Sequence, residues 1–386
     1  MGGRADILVV GGGVNGASIA YHLAARGLGD VLLLERNGIA SGPTGRSTAI
    51  IREHYSQPLL VRMATHGRHA YMSFREEVGF TAGFQRVGLL VAADPGDREA
   101  LERNVALGQS LRVSTQLVDS DELEEIDPRI EHGGLAWCWE PDAGVCDPYA
   151  AAAGYAAAAR RLGARVETGI FVEAVEPGRV RTESGEIEAG AIVVAAGPWS
   201  AALLAPLDYE LPLVVARAQV GRYRLPLGET APPSIADFSA LSFYLCPAAD
   251  SVVEVGSLDP RHADTPVDPD DYGDYAETES LDAWATALAA RMPALAGGHW
   301  RGSWAGLYDV TPDWHPALGA VPGVDGVYVA AGFSGHGFKL APAVGVSLAE
   351  LIADGACTSF DLTPLAPERF ERGELLSSQY GYSVLA

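Results

Sequence analysis

The chain has 386 residues, a length that allows two domains, or one domain with a large excursion. Hydrophobic residues make up 48% and charged residues 20% of it, which excludes collagen-like, disordered and disulfide-scaffold classes. The 27 basic and 50 acidic side chains give a net charge of -23, so nucleic acid and anionic membranes are poor partners.

The first segment has the pattern of a dinucleotide-binding turn. Residues 6–10 (DILVV) are short, apolar and β-branched, as in a strand buried in a parallel sheet. Residues 11–16 (GGGVNG) follow at once, before a helical pattern, and a second predicted strand at residues 31–34 ends in Glu35. Strand, glycine turn, helix, strand and acid within about 30 residues form the full context of this fingerprint.

Each residue of the fingerprint has a physical reason. Gly11 permits the tight turn, Gly13 lets the backbone approach a pyrophosphate, and Gly16 allows close packing of helix on strand. The helix N-terminus offers N–H groups to phosphate oxygens. Glu35 is expected to accept hydrogen bonds from ribose hydroxyls, which argues against a 2'-phosphate and hence against NADP.

Later segments repeat the strand pattern. A predicted hairpin joins residues 172–175 and 180–182, and apolar strands at residues 191–197 and 327–332 each end in glycine. An apolar helical stretch, residues 341–352, follows the last of them. Strands from distant segments that all end in glycine predict one sheet assembled discontinuously.

The intervening residues, roughly 83–146 and 213–299, have a different pattern. Strand-like runs separated by Pro- and Asp-rich turns, with a helix at residues 281–291, predict an antiparallel sheet with helices. The acidic stretch at residues 264–279 is interpreted as an exposed loop whose charge is simply solvated.

Cysteine, lysine and targeting patterns narrow the chemistry. The four cysteines fit neither a zinc site nor a disulfide framework, and no metal site is predicted. No signal peptide and no apolar run of membrane-spanning length is present, so the prediction is a cytoplasmic protein without membrane insertion. Lys339 is the only lysine among the 27 basic residues, and a compact ammonium is not replaced by a planar guanidinium in a tight pocket.

Four motifs together resemble the FAD-dependent amino-acid oxidases of the D-amino-acid oxidase superfamily, and monomeric sarcosine oxidase and the sarcosine oxidase β-subunit in particular. The motifs are GGGVNG with Glu35, SGPTGRSTAIIR at residues 41–52, VVAAGPWS at 193–200 and AAGFSGHGFK at 330–339. The resemblance implies an α/β fold in which a Rossmann-like FAD-binding domain of the glutathione-reductase type stands beside an antiparallel-sheet substrate domain with helices. The predicted segments of the FAD-binding domain are 1–82, 147–212 and 300–386, and those of the substrate domain are 83–146 and 213–299.

The resemblance also assigns site residues. Arg52 and Lys339 match residues that bind the substrate carboxylate, and Tyr244, Tyr308 and His336 match residues around substrate and flavin. A core aromatic on a strand is the alternative interpretation of Tyr244. The residues expected to bind FAD are Gly11, Gly13, Val14, Asn15, Gly16, Glu35, Arg36, Arg46, Ser47, Thr48, Val172, Ala196, Gly197, Trp199, Gly332, Gly335, His336, Gly337, Phe338 and Lys339. His54 and His315 are interpreted as structural.

Several positions depart from the family pattern. Gly306 stands where monomeric sarcosine oxidase has its flavin-linking cysteine, so FAD is predicted to be non-covalent. Glu254 stands near the lysine that helps oxygen react, Leu258 at an active-site histidine, and Ala49 at a further arginine. The charge reversal at Glu254 makes a dehydrogenase a serious alternative to an oxidase.

The sequence therefore predicts an FAD-dependent oxidoreductase that oxidises the C–N bond of a carboxylate-bearing amine, of a secondary or N-methyl type, to an imine. Its expected partners are an amino-acid-like small molecule and oxygen, or an unknown electron acceptor. The alternatives are a dehydrogenase or complex subunit that passes electrons to another acceptor, and a non-catalytic flavoprotein component. Retention of both Arg52 and Lys339 argues against the last, because a scaffold does not need to bind a carboxylate.

Overall fold

A computed structural model describes residues 3–380; residues 1, 2 and 381–386, the ends of the predicted segments 1–82 and 300–386, lie outside the described part. The strands are β1 (Gly3–Val10), β2 (Val31–Glu35), β3 (Ile50–Ile51), β4 (Gln85–Arg86), β5 (Leu89–Ala93), β6 (Gln116–Val118), β7 (Ala136–Glu140), β8 (Gly144–Val145), β9 (Arg165–Thr168), β10 (Val172–Glu176), β11 (Arg179–Thr182), β12 (Gly185–Val194), β13 (Val214–Arg224), β14 (Ser234–Asp237), β15 (Phe243–Ala249), β16 (Val252–Ser257), β17 (His299–Val310), β18 (Ala317–Ala320) and β19 (Val327–Ala331). The α-helices are α1 (Val14–Ala25), α2 (Pro58–Met72), α3 (Phe74–Glu77), α4 (Arg98–Ser110), α5 (Ser120–Ile126), α6 (Pro148–Arg161), α7 (Ser200–Leu204), α8 (Thr278–Arg291), α9 (Gly337–Asp354) and α10 (Arg369–Arg372).

The first sheet is assembled from distant segments, as predicted. Its strand order is β10-β11-β12-β1-β2-β9, with β19 paired to β12 and β18 to β19. β1 is parallel to both β12 and β2, and β12 is parallel to β19. The central strand is buried from Ile7 to Val10, which is why its sequence is continuously apolar rather than alternating. The hairpin of β10 and β11 is confirmed.

The second sheet has the order β17-β13-β16-β15-β14-β5-β7-β6. Its neighbours are antiparallel except for β14 and β5, which are parallel. The predicted antiparallel sheet is confirmed, with this one parallel pair as an exception. β5 joins from the other predicted segment and not through a hairpin, so no tight turn forces the two strands to run in opposite directions.

β17 bears on the predicted domain boundary at residue 300. It pairs with β13 along its whole length, from Val310 opposite Val214 to His299 opposite Arg224. Residues 299–310 therefore belong to the second sheet, whereas the predicted boundary places 300 onward with the first. The division into domains stays a prediction, and this pairing favours a boundary after residue 310.

Helices pack against the first sheet. A small third sheet consists of β3, β8 and β4, whose chain positions fall where the chain passes between strands of the two larger sheets. α1 packs against α6 and α9, and α9 also packs against α2. The apolar helix predicted for residues 341–352 is α9, which begins earlier, at Gly337, and lies at the centre of a buried layer. Within residues 3–380 no group of three His, Cys, Asp or Glu side chains is placed to hold a metal ion. None of the helices in this part is long and apolar enough to cross a membrane. All four cysteines are free thiols.

Candidate active site

An elongated cavity of about 660 Å³ runs from the glycine turn after β1 to the inner face of the second sheet. Most of the predicted site residues line it. They are Arg52, Tyr244, Tyr308, His336 and Lys339, together with Gly11, Gly13, Val14, Asn15, Glu35, Arg36, Arg46, Ser47, Thr48, Val172, Ala196, Gly197, Trp199, Gly335, Gly337 and Phe338. Gly16 and Gly332 do not line the cavity. The structure thus brings together residues as far apart in sequence as Gly11 and Lys339. Their individual roles stay predictions.

The three fingerprint glycines differ in what surrounds them. Gly11 has a φ of +111°, and a Cβ there would lie 2.4 Å from the carbonyl oxygen of Ala195. A Cβ on Gly16 would lie 1.9 Å from the carbonyl oxygen of Gly11. These two glycines are needed by the backbone itself. Gly13 is different, because the nearest atom to a Cβ there is the hydroxyl oxygen of Thr44 at 3.1 Å and the residue faces the cavity.

Gly332 is also a backbone requirement. Its φ is +75°, and a Cβ would lie 2.4 Å from a methyl group of Thr311. Its N–H donates to the buried carboxylate of Asp309 at 2.7 Å. It therefore shapes the loop before α9 and is outside the cavity lining, and its predicted contact with the cofactor stays a prediction.

Glu35 holds the glycine turn in place. Its carboxylate accepts hydrogen bonds from the N–H of Gly12 at 2.7 Å and of Asn37 at 2.8 Å. The N–H of Val14 donates to the hydroxyl of Thr44 at 3.0 Å. Thr44, which also lines the cavity, was missed by sequence reasoning although it lies in the SGPTGRSTAIIR motif.

Residues 264–277, here called the acidic strap, reach the nucleotide end of the cavity. Asp270 pairs with Arg36 at 2.9 Å and accepts a hydrogen bond from the indole N–H of Trp199 at 3.1 Å. The guanidinium of Arg36 lies 3.9 Å from the centre of the Trp199 ring. Tyr272 accepts a hydrogen bond from Arg46, and both strap residues line the cavity. Most of this stretch is exposed, as predicted, but the interpretation of its charge as simply solvated is wrong at Asp270, which is paired. The signal available in the sequence was the pair of tyrosines, Tyr272 and Tyr275, among the acids.

Two cations lie buried at the other end of the cavity. Arg52 is 8% and Lys339 6% exposed. The Arg52 guanidinium donates to the carbonyl oxygen of His54 and lies 4.3 Å from the centre of the Tyr55 ring. Burial and the positive charge of Arg52 hold the pKa of Lys339 well below its usual value, and no carboxylate of residues 3–380 offsets them. A carboxylate ligand would supply the missing negative charge.

His336 stands beside the two cations. Neither of its ring nitrogens has a hydrogen-bond partner among residues 3–380. Burial, and then the charges of Lys339 and Arg52, hold its pKa well below 6.5, so the ring is neutral at neutral pH. It is the N-cap of α9, whose N-terminus lies at the cavity together with that of α1.

Tyr244 on β15 and Tyr308 on β17 each face a glycine. A Cβ on Gly256 would come within 2.6 Å of the Tyr244 ring, and one on Gly335 within 2.9 Å of the Tyr308 ring. Burial raises the pKa of Tyr308 to about 12 and that of Tyr244 well above 10, so both phenols keep their protons and can donate. Tyr244 also packs in a hydrophobic cluster, so both interpretations of this residue describe part of its surroundings.

The positions that depart from the family pattern are spread over this region. Gly306 lines the cavity, and a Cβ there would lie 3.2 Å from the Cβ of Arg46. Leu258 also lines it. Glu254 is buried outside the lining residues and pairs with Arg222 at 2.6 Å. Ala49 is buried with a φ of +51°.

The two histidines interpreted as structural are buried away from the cavity lining. His54 shares a hydrogen bond of 2.7 Å with the hydroxyl of Tyr380. The carbonyl oxygen of His315 accepts from Arg369 at 2.7 Å, beside the buried pair of Arg369 with Asp313.

A glycine turn at the N-terminus of a helix on a parallel sheet, opening into an elongated cavity, defines a dinucleotide-binding oxidoreductase fold. Residues 6–351 match the family model described as FAD dependent oxidoreductase. The chain belongs to this family, and FAD is its cofactor.

Known proteins agree with this assignment. Human peroxisomal sarcosine oxidase is 30% identical over 389 residues, which cover 95% of this chain and 96% of the human protein. The 4-methylaminobutanoate oxidase (formaldehyde-forming) of Paenarthrobacter nicotinovorans is 29% identical over 378 residues, 94% of this chain, but this chain spans only 45% of that protein's length. The crystal structure of L-proline dehydrogenase from P. horikoshii superimposes with a TM-score of 0.89 at 30% identity, covering 97% of this chain and all of the other. The predicted family resemblance is confirmed.

The cavity suits FAD on structural grounds as well. Gly13 leaves room for a phosphate group beside the start of α1. The side-chain oxygen of Asn15 and both ring nitrogens of His336 are buried without partners among residues 3–380, and these are groups that a bound cofactor or substrate can satisfy.

Behind Arg52 a buried carboxyl group makes stability depend on pH. Glu140 accepts a hydrogen bond from the N–H of Glu53 at 3.0 Å, and Glu53 pairs with Arg68 at 2.8 Å. Burial raises the pKa of Glu140 to about 7 from an ordinary value near 4.5. A raised carboxyl pKa favours the folded state when the group is protonated, so this contribution is full below about pH 4.5 and is lost as the pH rises through about 7.

Glu140→Gln is therefore expected to flatten the pH dependence of the free energy of unfolding between about pH 4.5 and pH 7. The amide oxygen can still accept from Glu53, but it no longer carries a titrating charge. Urea unfolding at pH 5 and pH 8 measures the effect, and the wild type should lose roughly 2 to 3 kcal/mol more than the variant across this interval. Equal losses in both proteins would show that Glu140 is ionised throughout.

Proposed function

We propose that this enzyme oxidises the C–N bond of an amine that carries a carboxylate, of a secondary or N-methyl type, to an imine. The observation that carries the proposal is the buried pair of cations, Arg52 and Lys339, at one end of the cavity, with no carboxylate of residues 3–380 to offset the charge of Lys339. The relatives support the substrate class, because sarcosine and L-proline are both carboxylate-bearing secondary amines.

The chain's own residues would bind and orient such a substrate. Bound FAD supplies the acceptor for the hydride that leaves the carbon next to nitrogen. Arg52 and Lys339 hold the carboxylate through charge-assisted hydrogen bonds. Tyr244 and Tyr308 keep their protons as donors, and neutral His336 adds no positive charge near the amine. The nitrogen lone pair of the neutral amine forms the new C=N bond as the hydride leaves, which gives an iminium ion. The iminium ion releases its N–H proton to water to become the imine, and water then hydrolyses it.

Oxygen is the electron acceptor we propose for the reduced enzyme. The second candidate is a dehydrogenase whose electrons pass to another acceptor or a partner protein. One observation favours it: Glu254 stands where the family resemblance implies a lysine, and it is already paired with Arg222 at 2.6 Å.

One experiment separates these proposals. The purified enzyme is mixed anaerobically with a panel of carboxylate-bearing amines while the flavin absorbance near its long-wavelength maximum is recorded, and air is then admitted. Bleaching by a secondary amino acid followed by rapid recovery in air supports the oxidase. Bleaching with slow recovery, together with turnover on an artificial dye, supports the dehydrogenase. Bleaching by none of the carboxylate-bearing amines would contradict the proposed substrate class and leave either an amine without a carboxylate or the non-catalytic alternative.

FAD is expected to leave the polypeptide when the protein is denatured by acid or heat, because Gly306 offers no thiol for a covalent link. The measurement is the flavin absorbance of the supernatant and of the washed precipitate. More than about nine-tenths of the flavin should be in the supernatant, as expected for a cofactor held only by non-covalent contacts. Yellow precipitate after washing would reveal a covalent bond to a different residue.

A further inference from the structure

One wall of the cavity consists of apolar side chains that come from β3, from β5 and β14 of the second sheet, and from the residues just after β14 and β16. The apolar wall comprises Ile50, Leu89, Ala236, Phe238 and Leu258, all of which line the cavity. The same five residues belong to, or pack against, one hydrophobic cluster that also contains Tyr244. They therefore form a continuous surface.

The apolar wall adjoins the buried cations. Ile50 precedes Arg52 by two positions in an extended segment, which places both side chains on the same side, and both line the cavity. Ala236 is the cross-strand neighbour of Tyr244. A molecule whose carboxylate reaches Arg52 and Lys339 thus has the wall within reach of its remaining atoms.

Apart from the two cations, the carboxylates that line the cavity already have partners of their own. Glu173, for example, pairs with Arg181 at 3.2 Å. Among the described lining residues, Asp270 is paired with Arg36 at the nucleotide end and Glu35 holds the glycine turn. The carboxylate of Asp309 accepts from the N–H of Gly332. None of the five wall residues carries a charge or a side-chain hydrogen-bonding group. A charged side chain placed against them would lose its water without gaining a partner.

We infer that the substrate group lying opposite the carboxylate is an uncharged hydrocarbon, such as a branched alkyl chain or a saturated ring, and that this enzyme prefers such substrates to N-methylglycine and to amino acids with charged side chains. The inference rests on the proposed function, in which the two cations bind the carboxylate. The apolar wall would select the group at the opposite end of the substrate. Hydrocarbon buried against the wall is transferred from water to an apolar surface, which favours binding with each added methylene.

The test uses holoenzyme and carboxylates that lack an amine, so that no turnover occurs. Acetate, propionate, isobutyrate and cyclopentanecarboxylate are titrated while the flavin spectrum is recorded, with succinate as the charged comparison. The dissociation constant is expected to fall about fourfold for each added methylene, and succinate should bind no more tightly than propionate. Equal dissociation constants along the series, or tighter binding of succinate, would overturn the inference and leave carboxylate recognition intact.

A parallel series separates the inference from the proposed function. Methylamine and cyclopentylamine are titrated in the same way. If only the amines bind, and cyclopentylamine binds more tightly, the apolar wall is supported while the proposed carboxylate recognition fails. If methylamine binds as tightly as cyclopentylamine, the inference fails.

Variants of one wall residue localise the effect. Leu258→Ala should weaken cyclopentanecarboxylate at least tenfold and leave acetate unchanged within about twofold, because about three methylene-sized groups are removed. Leu258→Arg should reverse the preference in favour of succinate. Leu227→Arg adds the same charge at a fully exposed leucine and should leave all dissociation constants unchanged. FAD content, measured for each variant, reports folding; if Leu258→Ala retained FAD and bound the whole series like the wild type, the wall would not contact the ligand.

Discussion

Lys339→Met is expected to lower kcat/KM for a carboxylate-bearing amine by about 30- to 1,000-fold. FAD content should stay unchanged although Lys339 is expected near the flavin, because the lysine is not assigned to the pyrophosphate that anchors the cofactor. The thioether keeps the volume of the side chain, but the buried substrate carboxylate is left with Arg52 alone, at a cost of about 2 to 4 kcal/mol. Since each 1.4 kcal/mol corresponds to about tenfold in rate, this cost gives the stated range. Steady-state kinetics and the ratio of flavin to protein absorbance measure the two quantities.

Lys339→Arg provides the matched comparison, because it keeps the charge and changes the shape. The larger planar fork needs different angles in a site already occupied by Arg52, so activity should also fall, although a cation is present. The assignment fails if Lys339→Met turns over amino acids nearly as well as the wild type. It also fails if an amine without a carboxylate is the better substrate of the unmutated enzyme; Lys339 would then be a charge that tunes the flavin.

Gly13→Val is expected to abolish FAD retention without unfolding the chain. The Cβ itself fits with a small shift, since its nearest neighbour is the Thr44 hydroxyl at 3.1 Å, but the two methyl groups enter the space predicted for the pyrophosphate. The flavin-to-protein absorbance ratio after gel filtration should fall to near zero, while circular dichroism stays like that of the wild-type apoprotein.

Gly38→Val is the control for this change. Gly38 lies just after β2, a Cβ there has no atom within 4 Å, and the residue is outside the cavity lining. This variant should keep its full FAD content. A Gly13→Val protein that is folded and fully loaded with FAD would move the phosphates away from this turn.

Much of the fold was predictable because its signals are local. The buried part of β1 is continuously apolar and runs directly into Gly11, and the hairpin of β10 and β11 has its turn residues in place. The parallel pairing of β14 with β5 was not predictable, since it depends on how two distant segments meet and no residue near either strand records that meeting. The pairing of β17 with β13 in the second sheet was unpredictable for the same reason, because it also joins two distant segments.

The residues of the candidate site likewise fall into those that local motifs reveal and those that depend on long-range contacts. Gly11, Gly13 and Lys339 stand in spaced motifs, so the sequence identified them as cavity residues. Gly16 was expected to allow close packing, and a Cβ there would indeed meet the carbonyl oxygen of Gly11. Gly332 is outside the cavity lining, and its motif alone could not distinguish a glycine needed by a ligand from one needed by a turn. Tyr272 was missed because long-range contacts across the cavity leave no periodic signal.

The acidic strap has a consequence for the response of the protein to salt. Its ion pair with Arg36 is partly open to solvent, with side chains 30% exposed for Arg36 and 60% for Asp270. Such a pair is weak and is screened by dissolved salt, whereas the buried cations at the far end of the cavity are screened much less. Concentrated salt is therefore expected to weaken the contact between the strap and Arg36, while the interaction of the buried cations with a carboxylate stays nearly unchanged.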